Sequence, residues 1–256
     1  MTRIFTSDQD ATGDLPAFET LASYRSAIGA LTGLRAWYSP WSPDDRIDVS
    51  TKISQLDDLS GNGFHLVQAT DANRPLIGEN AFGAINGTDR DGMDTSGASA
   101  LYLETVGNVF DGTGDWTYAV LCKPESTAGC VISSTGTQII NQNSATNLRM
   151  NGTQLSVTSP TSIQNKICKI LATHSFPGAG NVSLWMEVNG VTGTATPAGS
   201  GSVPGTNHLR VGIHTTPSTG LFDAIYGDII IIKGIADADD LQLIRDYFSF
   251  LYDLRS

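Results

Sequence analysis

The chain has 256 residues, 40% of them hydrophobic and 16% charged, which is enough apolar material for one sizeable core and excludes a disordered chain. Fifteen Lys and Arg against 26 Asp and Glu leave a formal net charge of −11, a field that opposes phosphate backbones and anionic bilayers, so neither nucleic acid nor membrane insertion is expected. "MTRIFTSDQDATGDLP" lacks the basic-then-apolar pattern of a signal peptide, and no apolar run approaches the length of a membrane span.

A polar arm opens the chain. In "DLPAFETLASYRSAIGAL", Asp14 stands where it can cap a helix, Pro16 falls in the first turn, and Phe18, Leu21, Ile28 and Leu31 recur at helical spacing. Residues 1–33 therefore read as an arm and short helix suited to docking or oligomerisation. From Leu34 the texture changes to short β-branched and aromatic runs between Gly, Asn, Ser and Pro, among them "LRAWYS", "WTYAVLCK", "GCVISS", "KICKILATHSF", "VSLWMEV" and "DIIIIK". Asn151-Gly152 and Asn189-Gly190 occupy the two central positions of type I′ hairpin turns. Residues 34–256 are expected to form one all-β domain closed by a helix over 237–253. That helix places Leu241, Ile244, Phe248 and Leu251 on one face, and Asp237 caps it, so it should lie across the strands it follows.

Cys122, Cys130 and Cys168 are odd in number, lack C-x-x-C spacing and sit among apolar residues, so they read as buried free thiols of a protein assembled in a reducing cytoplasm.

The segment "DLSGNG" sets Asp58, Ser60 and Asn62 two residues apart before Gly63, the opening half of a calcium loop. Its twelfth position is Ala69 rather than a bidentate Glu, so a helix-loop-helix calcium site is excluded. Two readings stay open. Either Asp58 and Asn62 hydrogen-bond their own turn as Asx residues do, or the loop holds Ca2+ at a rim site completed from elsewhere, with Asp89 and Asp91 of "NGTDRDGMD" as candidate further ligands.

"LRAWYSP", "ISQLDDLSGNGFHLVQATDANRPLI", "DWTYAVLCKP", the Asn-Gly hairpins and the close "YGDIIIIKGIADADDLQLIRDYFSFLYDL" together resemble the concanavalin A-like, laminin-G-like domains of bacteriophage structural proteins and bacterial surface proteins. The resemblance covers about Leu34 to Leu254. It implies a two-sheet antiparallel jelly-roll sandwich, with rim loops available to a ligand. It also implies a range of roles, from glycan binding and adhesion to glycan cleavage and passive structure, so the role has to come from residues.

Glycan cleavage needs two converging carboxylates, which the glucanases of that fold carry as E-x-D-x-x-E or E-x-D-x-E on one strand face. No such strand occurs here, and Glu187 in "SLWMEVNG" lacks a partner two or four residues away, so it reads as a solvent-facing hairpin residue. His174, His208 and His214 are separate single histidines, and G-x-S-x-G, HExxH and P-loop motifs are missing. A non-enzymatic role is the expectation. Sugar binding would use aromatic faces: Trp41 in "SPWSPDD", with Tyr38 beside it, is the best platform candidate, its alternative being to pack against the N-terminal helix. Arg74 either pairs with a loop carboxylate or offers its guanidinium to a ligand. Unpaired cysteines and the missing signal peptide fit a virion surface protein that assembles with other subunits, as a homo-oligomer, and meets host polysaccharide. The alternatives are a purely structural virion subunit and a glycan hydrolase or lyase.

Overall fold

The computed structural model describes residues 20–83, 89–97, 100–112, 114–135, 137–150, 155–158, 161–175, 183–195, 205–213 and 221–252. Helix α1 (Leu21–Gly29) is followed by strands β1 (Leu34–Tyr38), β2 (Arg46–Val49), β3 (Lys52–Leu56), β4 (Leu66–Val67), β5 (Leu76–Gly78), β6 (Gly92–Asp94), β7 (Leu103–Thr105), β8 (Phe110–Asp111), β9 (Trp116–Pro124) and β10 (Gly129–Ser134). Then come β11 (Gln138–Ser144), β12 (Asn147–Met150), β13 (Leu155–Thr158), β14 (Cys168–Ser175), β15 (Ser183–Val188), β16 (Val191–Thr192), β17 (Thr194–Ala195), β18 (Thr206–Asn207), β19 (Leu209–Val211) and β20 (Ala224–Lys233), and helix α2 (Ala238–Tyr252).

The expected all-β class and both helices are present. Apart from the small β8–β18 pair, every strand joins one antiparallel hydrogen-bonded network that curls nearly into a barrel. The division into two separate jelly-roll sheets is not shown. The face β15–β14–β9–β20 continues through β6, β5, β3, β4, β7, β19 and β10 to β13, which packs back beside β15.

Strand alternation divides the interior into two layers. Trp116, Tyr118, Val120 and Cys122 of β9 point into the inner core with Tyr226, Ile229 and Ile231 of β20 and Cys168, Ile170 and Ala172 of β14. The intervening Ala119, Leu121, Ile230, Ile232 and Leu171 form an outer layer with Trp37 of β1. The helices cover that layer. Tyr24 and Ile28 of α1 and Ile244, Tyr247, Phe248 and Leu251 of α2 supply its lid, and Tyr24 stacks on Phe250 with ring centroids 5.0 Å apart. Strand β20 is buried on both faces, as its unbroken isoleucine run requires. All three thiols are buried, and burial pushes Cys130 and Cys168 up to about 12, as inert structural cysteines.

The helix ends follow local chemistry. Thr20 and Ser23 form a reciprocal capping box at α1. The proposed Asp14 cap, Pro16 and Phe18 lie outside the described residues. Asp237 caps α2 as expected, its Oδ1 accepting from Asp240 N at 2.9 Å. Gly33 lets the chain enter β1 against Lys233, whose carbonyl oxygen would stand 2.3 Å from an added Cβ.

Candidate ligand cleft

The residues singled out in the sequence are placed apart, and most are engaged internally. Asp58 is the hub of a staple: its Oδ1 accepts from Trp37 N at 3.1 Å and Ser60 N at 3.0 Å, and its Oδ2 accepts from Phe64 N at 3.0 Å. Ser60 Oγ donates to Arg35 O, and Asn62 Nδ2 donates to Leu34 O and Arg35 O. "DLSGNG" therefore clips its loop onto the start of β1, the Asx-turn reading extended by a tertiary contact. Asp91 is engaged elsewhere, its carboxylate accepting from Asn80 N and Arg46 Nη2 at 3.0 Å each, and Asp89 is exposed. Among the described residues no group of three or more His, Cys, Asp or Glu could hold a metal ion.

The aromatic candidates are corrected in the same way. Trp41 is half-buried in the outer layer, with the Arg25 and Arg90 guanidinium carbons 5.2 and 5.7 Å from its ring centroid. That is the packing alternative rather than a free platform. Tyr38 is fully buried, its hydroxyl donating to Phe64 O at 2.6 Å. The Arg74 guanidinium donates to Asp71 Oδ1, Gln68 O and Ala69 O. His174 is buried, His208 lies 3.0 Å from a Glu104 oxygen, and His214 and the Asn151-Gly152 turn fall outside the described residues.

A cleft of about 720 Å³ opens instead where α2 stops covering the outer sheet face, a volume within the roughly 300–1,000 Å³ typical of small-ligand sites. Its position follows from strand alternation. Lys123 ends the outward row of β9 after Ala119 and Leu121, Lys169 and Leu171 are outward on β14, and Glu187 is outward on β15, paired in register with Leu171. Arg245 and Ser249, one helical turn apart on α2, form the opposite wall beside Phe248.

Local bonding fixes the walls. Arg245 grips Glu187 with both fork nitrogens, Nε to Oε1 at 3.1 Å and Nη2 to Oε2 at 3.0 Å, so Glu187 is a wall residue and not the solvent-facing one its sequence context implied. Lys169 Nζ donates to Ser249 Oγ at 2.9 Å. The expected Asn189-Gly190 turn has φ of 49° and 82°, as type I′ requires. Its Asn189 side chain accepts from Lys169 N at 2.8 Å and donates to Ile167 O at 3.1 Å. Asn165 N donates to Pro124 O at 2.6 Å, tying the loop that carries Lys166 to the end of β9.

No protein-family model matches the chain, and no characterised protein matches it by sequence. Solved structures of similar fold include an arabinofuranosidase complexed with arabinofuranosyl-alpha-1,2-xylobiose, at 15% identity and TM-score 0.55 over 78% of this chain and 51% of that one. A second arabinofuranosidase, of family GH54 and soaked with a cyclic sulfate inhibitor, aligns at 14% identity and TM-score 0.53 over 90% of this chain and 65% of that one. A Trypanosoma rangeli sialidase in complex with the inhibitor DANA aligns at 9% identity and TM-score 0.54 over 87% and 36% of the two chains. The chain thus spans about half the length of the first of these enzymes.

These likenesses correct two expectations. The concanavalin A-like identity shared with phage structural and bacterial surface proteins is overturned, because solved structures of similar fold include two of arabinofuranosidases and one of a sialidase. The expectation of a non-enzymatic chain is overturned with it: glycoside hydrolases share this fold, so the missing E-x-D-x-x-E strand does not dismiss catalysis. The virion setting finds no support in these similarities.

Proposed function

We propose that this chain is a glycan-recognising domain that takes a saccharide in the cleft between α2 and strands β14 and β15. The cleft itself carries this reading. Its accessible apolar lining comes from the half-buried Ala81 and Ile167, and its rim is polar, from Lys123, Asn165, Lys166, Lys169 and Ser249. A sugar ring offers the same two faces, an apolar plane of C–H groups and an edge of hydroxyls. Similar solved structures support the reading, since two of them hold saccharides: the arabinofuranosidase with arabinofuranosyl-alpha-1,2-xylobiose, and the Trypanosoma rangeli sialidase in a complex with sialic acid.

The test is a glycan array probed with the chain and with Ser249→Trp, which fills the cleft from its helical wall. Retention of a glycan by the native chain, lost in the variant at an unchanged melting temperature, is the expected result. Equal retention by both would place recognition elsewhere.

Glycan cleavage at the same cleft is the second reading, favoured by the glycoside hydrolases among the similar structures. Glu187 is the carboxylate in the lining, and an inverting or retaining mechanism would need a second carboxyl group within roughly 5–9.5 Å of it. Release of reducing ends that disappears in Glu187→Gln would establish this reading.

A further inference from the structure

The protein as a whole is strongly acidic, yet the cleft is not. Lys123, Lys166, Lys169 and Arg245 line it against the single carboxylate of Glu187. Arg245 and Glu187 neutralise each other through their two-point contact. Lys169 is bonded to a hydroxyl, which orients its ammonium group without cancelling the charge. No salt bridge is formed by Lys123, Lys166 or Lys169 among the described residues. Three lysines, from β9, the loop before β14 and β14 itself, therefore line one concavity.

Lys166 is exposed and Lys123 and Lys169 are half-buried, so their ammonium groups stay charged, and like charges gathered in one place repel one another. Elsewhere among the described residues most cations are paired: Arg25 with Asp45, Arg46 with Asp48 and Asp91, Lys52 and Arg74 with Asp71, Arg210 with Glu104, and Lys233 with Asp111. Arg35 and Arg149 also form no salt bridge among the described residues, and what distinguishes the cleft is that three such cations line it together. Counter-ions screen exposed charges beyond about 8 Å at physiological ionic strength, so a ligand in the cleft meets these lysines and not the distant acidic surface.

We infer that the ligand of this cleft is a carboxylate-bearing saccharide, a uronic acid or sialic acid unit, whose carboxylate sits among Lys123, Lys166 and Lys169 while its ring lies against Ala81 and Ile167. The inference rests on the reading of the cleft as a sugar site and adds the charge of the sugar. Ser249 has a defined part. By holding Lys169 Nζ in place it pre-orients one donor, so less rotamer entropy is lost when the carboxylate arrives.

The experiment pairs charged saccharides with neutral counterparts of the same skeleton: oligogalacturonate against its methyl ester, and sialyllactose against its methyl ester. Titration calorimetry on the full chain is expected to show one of the acids binding at least roughly tenfold more tightly than its neutral partner, the scale of one charge-assisted contact. The preference should weaken as salt rises. Lys123→Gln with Lys166→Gln should remove it while leaving weak binding of the neutral partner, and both positions lie at the cleft's rim, so folding is preserved. Neutral oligosaccharides bound as well as acidic ones, indifferent to the double variant, would overturn the acidic ligand and keep the glycan reading. Binding of free sulfate or phosphate as tight as that of the acidic sugars would overturn both, and so would no binding of any saccharide.

Discussion

Strand β9 carries both layers of the molecule along one backbone, and the two differ in kind. Its inward residues, Trp116, Tyr118, Val120 and Cys122, are apolar from end to end and closed on all sides. Its outward residues change along the strand. Thr117 receives the backbone of Ala236, Ala119 and Leu121 lie under the helices, and Lys123 emerges into the cleft. The inner face has to satisfy packing alone, because no water reaches it. The outer face is covered only as far as α2 extends, and beyond that limit charge is tolerated and can be used.

The sharpest way to break this comparison is to truncate one tryptophan from each layer. Trp116 is fully buried and meets Phe110 edge-on with centroids 5.1 Å apart. Trp116→Ala should lower unfolding stability in urea by about 3–5 kcal/mol. Trp185 is only half-buried at the outer layer, and its replacement by Ala should cost about half as much. Equal losses would mean that the helix layer is packed as tightly as the inner core.

The Asp58 staple joins the loop to β1, whose side chains enter both layers. Asp58→Ala strands three backbone N–H groups that now share one carboxylate and should cost about 2–4 kcal/mol, read from the urea midpoint. Melting with calcium and with a chelator should give the same midpoint. A rise with calcium would put a cation on oxygens described here as acceptors of backbone hydrogen bonds.

The smallest effect concerns His174, buried between β9 and β15. Burial lowers its pKa, with Asp115 opposing that shift. The folded state then binds fewer protons than the unfolded state just below the ordinary histidine value of about 6.5. The stability that His174 contributes is complete above that pH and is lost as pH falls through the window down to its folded pKa. His174→Gln should flatten the stability profile there, measured by urea melts at successive pH values. An unchanged slope would assign the acid sensitivity to other groups.

Much of the scaffold was legible in the sequence because its signals are local. Alternation in "WTYAVLCK", the isoleucine run of β20, the Asn189-Gly190 turn and the Asp237 cap each depend on residues a few positions apart. The hairpin of β2 and β3 was missed because its turn places Ser50, rather than the Asn or Gly that favour positive φ, at φ 61°. The cleft could not be read at all. Its lysines belong to two separate segments, Lys123 in one and Lys166 with Lys169 in the other, and its arginine to a third, and each looks like an ordinary charge at a strand end or on a helix. The one available signal was Lys169, which interrupts the apolar run "ICKIL" on the face that Leu171 buries. Trp41 failed as a sugar platform for the converse reason: its flanking prolines suggested exposure, and two arginines from distant segments cover it.

The position of β20 in the sheet has a consequence for how the chain is made. It pairs with β1, β6 and β9, bringing Ile232 beside Leu34 across most of the sequence. During synthesis the first strands must wait for the ribosome to deliver their central neighbour before either layer can close. Contacts of such long sequence separation slow folding, and until they form, the edges of β1 and β9 are open to pairing with another chain. In this protein the hazard of misassembly is concentrated in the interval before residues 224–252 emerge.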